Sequence, residues 1–305
     1  MTRKLMSLSE AIGRYVADGM SLVMGTALEA AIPFAAGHEI IRQGKRDLTV
    51  IGPISDILFD QLIGAGCVRR VIAAWVGNVS EGSAYNLRRA VEEGVPHFVD
   101  VEDHTNLTIA LGLHAAALGV PYLPTRTALG SDVARGHPGL RPIRCPYTGE
   151  PLLAVRALAP DVAIVHVQRA DEFGNCHLWG NLGVTLDAVR ASRSVIVTAE
   201  EIVSADLIRS DPNRTLIPGF LVTAVVHEPW GAHPSPVVGY YHRDHAHFRE
   251  YHERTRTREG FLAWLKEWVL SVPDRSRYMD RLGPERRRAL RIAQSALSAP
   301  ADFGC

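Results

Sequence analysis

Much of what usually announces a function is missing from this chain of 305 residues. It has only four cysteines (Cys67, Cys145, Cys176 and Cys305), scattered and with no CxxC pair. Neither a zinc site nor a disulfide framework is indicated, and a reducing, cytoplasmic setting is expected. No stretch approaches the ~20 apolar residues that span a bilayer. The start, MTRKLMSLSE, has no apolar run behind its basic residues, so no signal peptide is expected. Neither sign of charge is in surplus, with 33 Lys+Arg against 33 Asp+Glu, which removes the electrostatic case for nucleic acid or an anionic membrane as partner. Also absent are GxGxxG after a strand, GxxxxGK, HExxH and GxSxG. Nucleotide-phosphate and zinc-hydrolase readings thereby lose their usual support.

What is present is an ordinary soluble composition, 47% hydrophobic and 22% charged, in a chain long enough to bury a large core. Ser7 and Glu10 form a capping box before a helix with Leu8, Ala11, Ile12, Tyr15 and Val16 at helical spacing. Strands are expected at 20–25, 48–51, 68–76 and 97–101, separated by helices over 33–43, 56–63 and 84–93, with a further helix from Asn106 to Gly119. Further strands are expected at 161–168, 193–198 and 221–226. Such alternation predicts an α/β fold with an open, mainly parallel sheet and helices on both faces. Thr127 to Glu150, broken by glycines and prolines, reads as a long loop. From about 244 the chain turns helical, Phe261, Leu262, Leu265, Trp268 and Val269 making one apolar face. One domain over 1–283 and a tail over 284–305, a short helix with a fraying end, complete the expected organisation.

Few residues stand out chemically. His242, His245, His247 and His252 match no standard metal spacing and read as solvated histidines at a helix start, so no metal is expected. Gly25 to Pro33 (GTALEAAIP) joins the first strand to the second helix, where βα turns bind ligands, and Glu29 is its only charge. Glu29 could act as nucleophile or base, or simply favour the helix N-terminus. Asn106 could cap its helix or donate its amide to a developing oxyanion. The turn Glu228 to Ser235 (EPWGAHPS) is too stiff and too rich in aromatic and histidine side chains to be filler.

Taken in order, MSLSEAIGRYVADG, EIIRQGKRDLTVIG, HAAALGVPYLP, ALAPDVAIVHVQRAD, VTAEEIVSADLIRSDPNRTLIPG, HEPWGAHPS and FLAWLKEWV resemble the A (alpha) subunit of family I CoA-transferases, the glutaconate CoA-transferase branch above all, from about Leu5 to Gly283. The resemblance implies the open-sheet fold of the CoA-transferase (NagB-like) kind. It also implies pairing with the CoA-transferase B subunit in an A2B2 heterotetramer, with the active site at the A–B interface. A glutamate of the B subunit would take the acyl group from a CoA thioester as an anhydride and return it as a new thioester. CoA thioester and carboxylic acid would be substrates, with no bound cofactor. The A side would supply oxyanion stabilisation through Asn106, where the transferase branch has a glutamine, one methylene longer, and a hydrolase branch has a glutamate. Gly25, Thr26, Glu29, Asn78 and Ser80 are carried over as substrate-binding positions. The Gly25 loop lacks the cation that relatives often place there, which implies a more apolar acyl group than glutaconate. The alternatives are a CoA-thioester hydrolase, a ring-cleaving hydrolase or a decarboxylase on the same scaffold, or a small-molecule sensor. Arg126, Arg135 and Arg144 are open candidates for the CoA phosphates.

Overall fold

The computed structural model describes residues 2–292 together with 302 and 303. Ser7 caps α1 (Leu8–Tyr15), its Oγ accepting from the Glu10 N–H at 3.2 Å. The chain then alternates through β1 (Ser21–Val23), α2 (Phe34–Arg42), β2 (Leu48–Ile54), α3 (Ile57–Gly64), β3 (Val68–Trp75), α4 (Tyr85–Glu92), β4 (Asp100–Asp103) and α5 (Asn106–Leu118). Three strands follow, β5 (Tyr122–Thr125), β6 (Leu140–Arg144) and β7 (Pro151–Arg156). Next come β8 (Val162–Ala170), β9 (Cys176–His177), α6 (Thr185–Ala191), β10 (Ser194–Ile202), α7 (Ala205–Ser210), β11 (Thr215–Ile217) and β12 (Ala224–His227). The C-terminal region is helical: α8 (His245–Arg254), α9 (Arg258–Leu265), which runs into a π-helical turn at Lys266–Leu270, α10 (Arg275–Leu282) and α11 (Pro284–Leu290).

The central strands are rich in Val and Ile and alternate faces, so they bury both sides. Leu22, Val50, Val71, Ile164 and Ile196 join one core, while Val23, Ile51, Ile72, Val165 and Val197 join the other. The first core is covered by α1, α2, α3 and the C-terminal helices, with Phe34, Leu58, Phe261 and Trp264 buried in it. The second is covered by α5 and α6 through Ile109, Leu113 and Val189. Each such side chain contributes roughly 1.5–3 kcal/mol on burial. Seven strands run parallel in the order β12–β10–β8–β1–β2–β3–β4, and β9 and β11 extend the sheet antiparallel beside β8. The order reverses between β1 and β8, which makes their carboxyl ends the switch point where open α/β sheets bind ligands.

Several sequence expectations are corrected. The strand expected at 97–101 is β4 at Asp100–Asp103, and Phe98 is 63% exposed. The expected loop over 127–150 contains β6, which pairs antiparallel with β7, as does β5, in a separate three-stranded sheet. The strand expected at 221–226 begins only at Ala224, after a short 3-10 turn. Leu262 is exposed, and Trp264 takes its place in the apolar face. Of the tail, Pro284–Leu290 is helical, and its expected fraying end lies outside the described residues, apart from 302 and 303. Among the described residues no helix is long and apolar enough to cross a membrane.

Candidate active-site edge

Loops after the parallel strands bring the candidate residues to one edge of the sheet. Gly25, just after β1, has φ +66°, and a Cβ there would overlap Ser55, so its role is to let two strand ends meet. Thr26 is buried, its hydroxyl 2.8 Å from Thr185 Oγ1 and its carbonyl accepting from the Val184 N–H at 2.8 Å. Beside it, Thr26, Ala30, His166, Gln168 and Trp179 line the switch-point crevice, whose free space of about 20 Å³ holds little more than one water. His166 is held on both ring nitrogens, by Glu200 Oε1 at 2.7 Å and Thr198 Oγ1 at 2.8 Å. Glu200 also accepts from Tyr241 Oη at 2.6 Å and from the Trp230 N–H at 2.8 Å. Burial, reinforced by the Glu200 charge, pushes the Tyr241 phenol well above its ordinary range.

Further along, one guanidinium gathers three successive loops. Arg243, fully buried, reaches Asp56 Oδ2 with Nη2 at 2.6 Å, donates to Ser80 Oγ at 3.1 Å, and lies with Nη1 4.0 Å from Glu29 Oε2. It stacks on Phe248, 3.6 Å from the ring centroid. Its Nε and Nη1 donate no hydrogen bond among the described residues. Asp56 has φ +45°, an uncommon conformation for a non-glycine residue. Burial pushes its carboxyl up to about 6, and Arg243 and the Val79 N–H offset only part of that. Glu29 therefore does not serve α2, whose first turn has no acid; it faces Arg243. Asn78 is buried and spent on local structure, donating to the Phe248 carbonyl at 2.8 Å and accepting from the Ser80 and Glu81 N–H groups. Ser80 is exposed. Sequence reasoning missed Asp56 and Arg243; the signal for the first was an acid directly after a strand.

At the β4 end, the cap of α5 is Thr105 rather than Asn106. Thr105 Oγ1 accepts from the Thr108 N–H at 3.1 Å, and Thr108 Oγ1 accepts from the Thr105 N–H at 2.9 Å. Asn106 is the first helical residue and exposed, and its side chain hydrogen-bonds to none of the described residues. Beneath it lies a buried network. Glu102 is paired with Arg70, and His104 bridges Glu102 Oε1 (3.1 Å) and Thr108 Oγ1 (3.0 Å). Burial raises the Glu102 carboxyl, but the hydrogen bond and charge of His104, with Arg70 and Arg156, outweigh it and hold it below its ordinary value. Glu102, His104 and His137 present ligand atoms within 4.8 Å of one another, as a metal site would. Their lone pairs are engaged, however: His137 lies 2.7 Å from the Asp103 carbonyl and accepts from the Gly139 N–H, and Arg70 and Arg156 bring positive charge. That donor set suits an ion-pair anchor better than a cation. Asn106 shares no contact with the Arg243 cluster among those described.

The histidines expected in solvent are partly interior. His247 is buried and packs edge-on against Trp268, ring centroids 4.8 Å apart, its imidazole pushed well below the ordinary range by burial. The neighbouring His233 lies 2.9 Å from both Asp244 Oδ2 and Tyr278 Oη, and Arg286 also pairs with Asp244. Burial holds His233 down to about 4 despite Asp244. Arg126, Arg135 and Arg144 each have a partner nearby, Glu150, Asp132 and the Gly149 carbonyl.

Residues 5–228 match the family model described as coenzyme A transferase. The A subunit of the 3-oxoadipate CoA-transferase of Pseudomonas knackmussii is 40% identical over 279 residues, 92% of this chain and 98% of that protein. The A subunit of the glutaconate CoA-transferase of Acidaminococcus fermentans is 35% identical over 306 residues, 95% of each. The crystal structure of glutaconate coenzyme A-transferase from Acidaminococcus fermentans superposes with a TM-score of 0.89 at 34% identity, covering 98% of this chain and 99% of that one.

Proposed function

Since this chain belongs to the coenzyme A transferase family, we propose that it works as the A subunit with a separate B subunit, and that the two complete one active site at the carboxyl edge of the sheet. The observation that carries this is the state of Asn106: at the required edge, exposed, and hydrogen-bonded to none of the described residues of its own chain. Exposed Trp75, Val79 and Leu107 border Ser80 and Asn106, so the rim of the site is also apolar and suited to a protein partner. An A2B2 assembly in the cytoplasm fits this reading.

The chemistry follows from a carboxylate nucleophile on the B subunit. Its oxygen attacks the thioester carbonyl, the C–S bond breaks, CoA leaves as thiolate, and an acyl-glutamyl anhydride remains. The thiolate then attacks the glutamyl carbonyl, releasing the first acid and leaving a glutamyl thioester. Attack by the acceptor carboxylate, and return of the thiolate, reverse the sequence on the second acid. Each tetrahedral intermediate develops an oxyanion, which the Asn106 Nδ2–H groups would stabilise. No cofactor is needed, since CoA is a substrate.

On the acid side, the Gly25 loop has no cation of its own, and the guanidinium that reaches it, Arg243, is already shared between Asp56 and Glu29. A distal carboxylate would meet net negative charge there, so the acid is more apolar than glutaconate, with a branched, aromatic or alicyclic acyl group. Mass spectrometry of the co-expressed A–B complex, incubated with acyl-CoA and then hydroxylamine or borohydride, tests the route. An adduct on a glutamate of the B subunit is expected. Free CoA accumulating without acceptor acid, and no adduct, would replace transfer by hydrolysis. An acid panel tests the substrate class, and preference for glutaconate or 3-oxoadipate over apolar acids would overturn it.

A further inference from the structure

Arg126, Arg135 and Arg144 already have partners, but three of the four arginines from Arg286 to Arg291 have no ion pair among the described residues. Pro284, Arg287, Arg288, Arg291 and Trp230 surround a cleft of about 230 Å³. At roughly 30 Å³ of liquid volume per water, that is room for a phosphate or diphosphate, not for a whole cofactor-sized molecule. Arg287 and Arg291 are four residues apart and Arg288 and Arg291 three apart, so their side chains converge on one side of α11. Arg286 points elsewhere, to Asp244 at 2.6 Å. Arg287 has only a long hydrogen bond to the Gly283 carbonyl, at 3.3 Å. None of Arg287, Arg288 and Arg291 has an ion pair among the described residues. The sequence offers no acid between Glu285 and Asp302 to neutralise them, and the Asp302 carboxylate faces His245 at 3.6 Å while its backbone bonds His242 Nδ1 and the Arg243 N–H.

The opposite wall is built rather than incidental. The Trp230 N–H is given to Glu200 at 2.8 Å, and Arg275 Nε donates to the Trp230 carbonyl at 2.8 Å. The indole stacks on Tyr241, centroids 4.3 Å apart and planes 7° from parallel. Arg275 also donates to the His233 carbonyl at 2.6 Å, pinning the whole turn. The bond from Trp230 to Glu200, at the end of β10, sets the cleft over the same carboxyl edge as Gly25 and Thr26. Three guanidiniums with no ion pair among the described residues, set against a fixed and largely buried indole, make a receptor for phosphate oxygens, which guanidinium binds in bidentate fashion. The helix and Trp230 both lie beyond the part of the chain that matches the family model, residues 5–228.

We propose that the cleft between Trp230 and α11 holds the phosphate groups at the nucleotide end of the CoA thioester, an inference that rests on the transferase reading above. The test uses the co-expressed A–B complex carrying Arg288→Glu with Arg291→Glu, both exposed residues, beside a control with the same change of charge, Arg69→Glu with Arg88→Glu, also exposed. Adenosine 3′,5′-bisphosphate binding is measured by calorimetry, and KM is measured for an acyl-CoA and for the same acyl group on pantetheine. In the double variant, bisphosphate affinity is expected to fall, and the acyl-CoA KM to rise, roughly 10- to 100-fold. The control should match the parent, and the pantetheine thioester should no longer distinguish variant from parent. Unchanged bisphosphate affinity and acyl-CoA KM would overturn the proposal, as would an equal loss with the pantetheine thioester. Bisphosphate binding that the double variant abolishes, in a complex that transfers no CoA, would overturn CoA as the source while leaving a phosphate site; that outcome separates failure of the transferase reading from failure of the cleft.

Discussion

At the β2–β3 part of the carboxyl edge, Arg243 is shared by Asp56 and Glu29, two of its nitrogens donate no hydrogen bond among the described residues, and Asp56 sits up at about 6. At the β4 end, Arg70 and His104 saturate Glu102, whose carboxyl is held below its ordinary value. Both are buried charge clusters at the ends of neighbouring strands, but the first leaves Asp56 Oδ2 and two Arg243 nitrogens without a hydrogen bond among the described residues, whereas the second leaves only Arg70 Nε, which faces Asp100 at 3.3 Å. A nearly complete cluster is scaffolding: it fixes the β4–α5 junction and leaves Asn106 standing out of it. An incomplete one retains unused donors and a carboxyl that can change protonation near neutrality, which is what a site awaiting substrate or partner groups would have.

The strongest way to break the comparison is Arg243→Leu. Removing the guanidinium leaves Asp56 and Glu29 facing each other's loops with no counter-ion, and a loss of about 3–5 kcal/mol is expected in urea unfolding of the full chain. A loss under roughly 1 kcal/mol would mean that the cluster contributes no net stabilisation. Next is Asn106, whose effect should appear in rate and not in stability. Asn106→Ala in the assembled complex should lower kcat by roughly 10²–10³-fold, while Asn106→Gln retains most of it. Equal activity of all three forms would remove the amide from the mechanism.

How much of this was readable beforehand follows from where the information lies. The parallel strands were legible because β8 and β10 are runs of Val, Ile and Ala that must be buried on both faces. β4 was placed three residues early because its own residues, Asp-Val-Glu-Asp, carry no apolar alternation; its pairing with β3 begins only at Arg70 opposite Asp100. β6 was hidden by Pro142 and by arginines, which an edge strand tolerates and a sequence reading takes for loop. Glu29 and Ser80 were singled out from the chain, but what joins them is Arg243, 163 residues beyond Ser80. No local spacing rule reports such a contact. Asn106 was picked by resemblance, while its capping role belonged to the residue before it, because Thr105 has the extended backbone that a cap requires.

The two clusters should also respond to acid with opposite sign. Asp56 has its folded value raised from 3.8 to about 6, so between those limits the folded chain holds more protons than the unfolded one. Its contribution therefore weakens as pH rises through that window, by on the order of 2–3 kcal/mol, and Asp56→Asn should remove the slope. Glu102 has its folded value lowered below 4.5, so its contribution is present above that value and is lost as pH falls through the folded one. Glu102→Gln should flatten that acid limb. Denaturant midpoints from about pH 3 to 7 for the parent and both variants test the signs, and slopes of the same sign would end the distinction.

The smallest expected effect sharpens the assignment at α5. Thr105→Ala removes the oxygen that accepts from the Thr108 N–H, leaving one first-turn donor without its partner, and about 1 kcal/mol of stability should be lost. Thr108 Oγ1 would still accept from the residue 105 N–H, so the helix should remain in place. Asn106→Ala, altering an exposed side chain with no hydrogen bond to the described residues, should change stability by no more than about 0.5 kcal/mol. Unfolding of both variants separates the two roles, because a cap is felt by the isolated chain and an oxyanion donor only by turnover. If instead Asn106→Ala costs the larger amount, the amide belongs to the helix, and the exposed end of α5 loses its claim on the transition state.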